Sequence, residues 1–166
     1  MHLDVPESIF NGDLAHDEAP WTPATYRVTS PVEPARAEVQ AVSHWLREAS
    51  LPLLHAGCGV LHAAATAELA ELAAWLDAPV TTSWGARGAL DERSPYAVSM
   101  IYPAVVTRAR TSADRVLVLG SRLGETDWWG KAPYWGDPST QETAQVDLDG
   151  ATLGNSRPLR FAVRAD

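Results

Sequence analysis

Leu51-Pro52-Leu53-Leu54-His55-Ala56, followed by Gly57-Cys58-Gly59, an amphipathic stretch to Leu76, Asp77-Ala78-Pro79 and Val80-Thr81-Thr82, is the segment that decides the fold. Its first six residues are a short apolar run stopped by glycines, the pattern of a buried strand ending in a turn. Leu69, Leu72, Ala73 and Leu76 then recur at helical spacing, and Asp77-Ala78-Pro79 stops that helix before a second strand. Strand, helix and strand within about thirty residues form a parallel crossover unit, which is right-handed almost without exception.

The pattern continues in both directions. Upstream, Pro34 suits the first turn of a helix, and Ala35, Val39, Val42 and Leu46 make one apolar stripe that ends near Ser50. From Pro6 to Pro34 the chain is rich in proline and carries no period, so it reads as an extended connector. The division expected is therefore residues 1–33, the end of a preceding domain and a linker, and residues 34–166, the domain proper. Downstream, Ser83 to Pro103 is rich in turn residues, and Pro103 to Ser112 suits a helix burying Val105, Val106 and Ala109. Arg115 to Leu119 is the clearest strand, β-branched and ending in Gly120-Ser121-Arg122. Thr143 to Leu148 and Leu159 to Val163 supply two more. The alternation predicts an α/β fold: a three-layer, doubly wound, Rossmann-like (FAD/NAD-binding-like) domain with about six mostly parallel strands flanked by helices.

Bulk composition narrows the function. A chain of 166 residues with 46% apolar content supports one substantial core. A net charge of −8 repels phosphate backbones and anionic lipid, so neither nucleic acid nor a membrane is an expected partner. One cysteine, Cys58, excludes an internal disulfide and a cysteine-rich zinc site, which suits a cytoplasmic setting. Met1 to Phe10 has neither the basic patch nor the apolar run of a signal peptide, and no apolar stretch is long enough to span a bilayer.

In an open parallel sheet, ligands sit beyond the carboxyl ends of the strands, where loops converge. Here those ends are Gly57-Cys58-Gly59, Thr82-Ser83, Gly120-Ser121-Arg122 and Asp147-Leu148-Asp149. Glycines permit close backbone approach, Arg122 suits a diphosphate, and Asp147 or Asp149 suits ribose hydroxyls, a set fit for an adenine nucleotide. The plain alternative is that the glycines merely finish buried strands. A nicotinamide fingerprint fails, because His62 stands at the third glycine position and Thr82-Ser83 where an acidic ribose ligand belongs. Cys58 near a helix start suits a nucleophile, with His55 and His62 nearby, but a cysteine between glycines is more often a small packing residue. The two histidines, seven apart, match no helical metal pair. Trp128-Trp129-Gly130-Lys131-Ala132-Pro133-Tyr134-Trp135 concentrates aromatics in a loop, which suits an interface with a neighbouring domain or subunit.

Taken together, Leu53-Leu54-His55-Ala56-Gly57-Cys58-Gly59-Val60, Ala78-Pro79-Val80-Thr81-Thr82-Ser83, Ala113-Asp114-Arg115-Val116-Leu117-Val118-Leu119-Gly120-Ser121-Arg122-Leu123 and Val146-Asp147-Leu148-Asp149 resemble, in order, the central domain of the thiamine-diphosphate-dependent enzymes of the acetolactate synthase type. Asn155 stands much as that family's later asparagine, and His2-Leu3-Asp4-Val5-Pro6 is similar to the segment closing the domain before it. The resemblance implies a truncated piece of a three-domain enzyme, with thiamine diphosphate and Mg2+ held between a pyrimidine-binding and a diphosphate-binding domain. The family's catalytic glutamate and its Gly-Asp-Gly magnesium motif have no counterpart, since Gly136-Asp137-Pro138 lacks the second glycine. The chain is therefore expected to be inactive alone and to associate as a homo-oligomer. Relatives hold FAD or ADP in this domain at positions matching Gly57, Gly59, Thr82, Gly120, Arg122 and Asp147, flanked here by Cys58, Ser83 and Ser121. Two departures stand against that ligand: Ser99 to Pro103 has no glycine where the flavin loop would be, and Cys58 interrupts the usual triplet.

Overall fold

The computed structural model describes residues 2–13, 19, 21–25 and 30–166. The chain divides into two units, Met1–Ser30 and Pro31–Asp166. In the first, a single helical turn, α1 (Glu7–Phe10), and a 3-10 turn at Pro23–Thr25 interrupt the expected connector. Parts of that connector, residues 14–18, 20 and 26–29, lie outside the described residues. Residues 2–6 form no strand, and Leu3 is exposed, because a lone strand without a partner is not stable in water.

The second unit opens with α2 (Arg36–Arg47), whose first turn is tied by Glu38, which accepts the Ala35 backbone N–H at 3.0 Å. Its buried face is Val42, Trp45 and Leu46, while Ala35 and Val39 lie exposed. The expected stripe is thus rotated, because the large Trp45 indole takes the inward position and donates to Glu142 at 2.7 Å. Next come β1 (Pro52–Ala56), the short α3 (Cys58–His62), α4 (Thr66–Leu76) and β2 (Val80–Thr82). Asp77, at φ 49°, caps α4 in the left-handed region, and Pro79 follows. Then α5 (Pro103–Ser112) starts on its proline and leads to β3 (Arg115–Leu119), β4 (Glu142–Asp147) and β5 (Phe161–Arg164). On α5, Val106 is buried and Ala109 half-buried, but Val105 is 55% exposed; the charged Arg110 occupies the inward face instead.

All four strand pairings are parallel, and the five-stranded order is β2-β1-β3-β4-β5. Beyond β2, Val80 forms a parallel bridge with Ala97, its N–H donating to Tyr96 at 2.7 Å and its carbonyl accepting Val98 N–H at 2.9 Å. That bridge occupies the sixth place, giving the strand sequence of doubly wound nucleotide-binding sheets, with the connections reversing direction between β1 and β3. Alternate residues face opposite layers. Leu54, Ala56, Val80, Leu117, Ala144 and Val163 pack under α2 and α4, whereas Leu53, Val116 and Val118 pack with Ala113, Leu123 and Trp135 on the α5 side.

Candidate functional site

A groove of about 950 Å³ opens at the carboxyl ends of the strands, within the range typical of small-molecule sites. It gathers Cys58, Gly59, Ser83, Gly120, Ser121, Arg122 and Asp147 from four separate loops, as the strand endings foretold. Gly57 and Thr82 do not line it: Gly57 is buried, its N–H donating to Leu119 at 2.8 Å, and Thr82 is half-buried in register with Ala56.

The glycines have a reason of their own. A Cβ on Gly57 would lie 2.6 Å from the Ser121 α-carbon, and one on Gly59 2.6 Å from that of Gly120. Gly120, at φ +58°, occupies the left-handed region as well. Gly59 N–H donates to the Gly120 carbonyl at 3.0 Å and Val60 N–H to Gly57 at 3.2 Å, so these donors at the start of α3 are engaged by the chain itself. The glycines therefore let two turns pack backbone to backbone where the sheet reverses direction. Arg122 is the guanidinium on the groove lining; it is exposed and forms no ion pair among the described residues. Asp147 uses one oxygen to accept Asp149 N–H at 2.9 Å and has a second for a ribose hydroxyl. These two groups fit an adenine nucleotide, although Glu68, Glu125 and Asp149 on the same lining make the groove acidic.

Cys58 is half-buried, and a Cβ on Gly85 would lie 2.5 Å from its Sγ, so that glycine makes room for the thiol. His55 is not its base. The imidazole is fully buried on the α5 side of the sheet, with Nδ1 3.0 Å from Thr81 Oγ1 and 3.5 Å from Arg110 Nη2. Because a guanidinium only donates, Nδ1 is assigned as an acceptor and the hydrogen to Nε2, which sits 3.3 Å from Asp127 Oδ2 in a poorly aligned contact.

Asp127 is the hub of this cluster. Its Oδ1 accepts from Arg110 Nη2 at 3.3 Å, its Oδ2 from Ser121 Oγ at 3.1 Å, and its backbone oxygen from the Trp135 indole at 2.7 Å. Arg110 lies over the Trp135 ring at 4.4 Å, and His55 meets that ring edge-on at 5.1 Å. Burial pushes the His55 pKa below 6.5, outweighing the Asp127 contact that favours the proton. Burial raises Asp127, but the His55 bond, the neighbouring positive charges and Ser121 together hold its carboxyl below the ordinary value. Desolvation lowers Arg110, partly countered by Asp127. Sequence reasoning missed the cluster; the signal available was one ionisable residue at a buried strand position and another on the apolar face of α5.

The aromatic loop grows from this hub. Trp128 and Trp129, at φ 55° and 50°, adopt the left-handed region rarely visited by bulky residues, and Trp128 stacks on Tyr134 at 4.0 Å. Both indoles are about half exposed, whereas Trp135 is buried.

Residues 39–166 match the family described as thiamine pyrophosphate enzyme, central domain. The chain is 30% identical over 167 residues to the protein assigned as 2-ketoarginine decarboxylase AruI of Pseudomonas aeruginosa, covering 100% of this chain and 28% of that one. It is 27% identical to the acetolactate synthase large subunit of Cyanidium caldarium (99% of this chain, 28% of the relative). It is 28% identical to the sulfoacetaldehyde acetyltransferase of Alcaligenes xylosoxydans xylosoxydans (99% and 27%). The chain thus spans less than a third of the curated relatives it matches. The fold also superposes on a crystal structure of a candidate thiamin diphosphate-dependent enzyme from Mycobacterium smegmatis, with a TM-score of 0.66 and 23% identity over 84% of this chain and 27% of the other. The chain belongs to the thiamine pyrophosphate enzyme family, of which it is the central domain.

Proposed function

We propose that this chain is the non-catalytic central domain of a thiamine-diphosphate-dependent carboligase or decarboxylase, and that its groove accepts an adenine nucleotide, either ADP or the adenine half of FAD. The observation that carries the reading is one groove holding both Arg122, free for a diphosphate, and Asp147, free for a ribose. Gly57, Gly59 and Gly120 hold the turns of that groove backbone to backbone, and Cys58, Ser83 and Ser121 lie beside them at the strand ends. The relatives are named for a decarboxylation, a synthase reaction and an acetyl transfer, so the chemistry of the parent is set elsewhere in its chain.

Thiamine diphosphate and Mg2+ belong, on this reading, to the parent's pyrimidine-binding and diphosphate-binding domains. Among the described residues no group of three or more His, Cys, Asp or Glu is placed to hold a metal ion. No helix of the described residues is long and apolar enough to cross a membrane. A cytoplasmic homo-oligomer, with the half-exposed tryptophans at an interface, completes the proposal.

Calorimetric titration with ADP and with FAD tests the groove. Saturable binding that weakens by about 10- to 100-fold in Arg122→Ala supports it, the loss expected for a charge-assisted contact. Silence at millimolar concentration removes the nucleotide and leaves the structural role. Mixing the chain with thiamine diphosphate, Mg2+ and a 2-oxo acid is expected to release no CO2; release would overturn the non-catalytic assignment.

A further inference from the structure

Arg122 and Asp147 reach the groove from neighbouring strands whose ends are locked in register. Leu119 pairs with Val146, and Gly120 N–H donates to the Val146 carbonyl at 2.9 Å, so Asp147 stands level with Gly120 and Arg122 lies just beyond. The Arg122 side chain runs along the backbone of Gly124, where a Cβ would lie 3.3 Å from its Nε. Among the described residues no other Arg and no Lys lines the groove. The phosphate end of the groove is therefore at the turn after β3, and the ribose end at the turn after β4.

That second turn is closed to a further anion. Asp147 accepts Asp149 N–H at 2.9 Å, Asp149 Oδ1 accepts Ala151 N–H at 2.9 Å, and the Asp149 carbonyl accepts Thr152 N–H at 3.0 Å. Amides that could have cradled a phosphate are thus engaged by the turn itself. Each carboxylate keeps an oxygen for a donor, and neither has an ion-pair partner among the described residues. Arg164, level with Asp147 on β5, donates to the Leu148 carbonyl at 3.2 Å and does not line the groove. His62 enters from α3, after β1, and β3 separates β1 from β4.

We propose that Asp147 and Asp149 form a charge filter for the ribose: the groove takes an adenine nucleotide whose 2′- and 3′-hydroxyls are bare and refuses one phosphorylated at either. This rests on the nucleotide reading of the groove and adds which nucleotides it turns away. A bare hydroxyl donates to the second Asp147 oxygen. A phosphate ester in its place sets acceptor oxygens and a further charge of about −1.5 to −2 against two carboxylates. Arg122 does not relieve them, because the diphosphate engages it at the other end of the groove. Glu68 and Glu125 on the same lining add to the repulsion. Selectivity of this kind comes from the repulsive element rather than from an added contact. The acid that is missing after β2, where Thr82-Ser83 stands, is supplied by the fold after β4.

Calorimetric titration of the full chain with ADP, and with ADP carrying an added 2′- or 3′-phosphate, tests the filter. Each phosphorylated form should bind about 100-fold or more weakly than ADP, the scale of a like-charge clash. Asp147→Asn keeps an oxygen for Asp149 N–H and removes one charge, so the ratio between the two affinities should shrink by about tenfold, whatever becomes of ADP binding itself. Raising the salt from about 0.05 M to about 0.5 M should narrow the ratio in the native chain as well, because salt screens exclusion by charge and not exclusion by shape. A phosphorylated form that binds as tightly as ADP, or a ratio that survives either change, would overturn the filter and leave ADP in the groove. Silence to ADP itself would remove the nucleotide reading and the filter with it. Should Asp147→Asn fail to fold, the salt series on the native chain decides.

Discussion

Gly59 and Gly120 press α-carbon against α-carbon: a Cβ on Gly59 would lie 2.6 Å from the α-carbon of Gly120, and one on Gly120 2.5 Å from that of Gly59. Neither partner is the mobile end of a side chain, so no neighbour can yield. Gly59→Ala and Gly120→Ala should each cost about 2–4 kcal/mol, with Gly120→Ala the worse because its φ is +58°. Gly88→Ala is the control: its φ of +90° is strained, yet nothing lies within 4 Å, so about 1–2 kcal/mol is expected. Urea denaturation ranks the three, and equal losses would show that strain rather than contact governs the turn.

Asp127→Ala should destabilise the chain by about 3–5 kcal/mol, since Arg110 is left buried without a counter-charge. Combining it with Arg110→Met should recover much of that loss, because an unbranched apolar side chain asks for no partner. A double-mutant cycle by urea unfolding measures the coupling, and strict additivity would mean that the two groups do not interact.

Acid sensitivity follows from His55. Its folded pKa lies below 6.5, so between the two values the unfolded chain binds a proton that the folded chain refuses. Stability is therefore full above about pH 6.5 and falls as the pH drops, by at most about 1.4 kcal/mol per unit from this one group. Asp127, lowered from 3.8, adds a second loss in stronger acid. Urea midpoints at about pH 7.5 and about pH 5.5 should differ in the native chain and nearly coincide in His55→Gln.

Trp129 adopts φ 50° and is 48% exposed. Trp129→Gly relieves that conformation and should stabilise the chain by about 0.5–1 kcal/mol by urea unfolding. Trp128→Gly relieves a similar strain but removes the stack on Tyr134, so it should come out close to neutral. A clear loss in Trp129→Gly would show that its ring packs more than its exposure implies.

The order of strands and helices was legible because its signals are local. Arg115 to Leu119 is apolar, β-branched and ended by glycine, and such a run declares a buried parallel strand wherever it occurs. The convergence of Cys58, Ser83, Arg122 and Asp147 on one groove follows, since parallel strands place their carboxyl ends together. Which face each side chain takes was decided by tertiary packing. Val39 and Val105 obey the helical period yet lie exposed, because Trp45 and Arg110 claim the inward positions. Whether the glycines serve a ligand or one another also needed the fold, for Gly59 and Gly120 lie far apart along the chain. The same holds for the buried cluster: His55 and Arg110 are separated by 55 residues and Arg110 and Asp127 by 17, and no local pattern announces that three ionisable groups will be buried together. Strand formation depends on the run of residues itself, whereas burial of a charge depends on what distant segments bring to meet it.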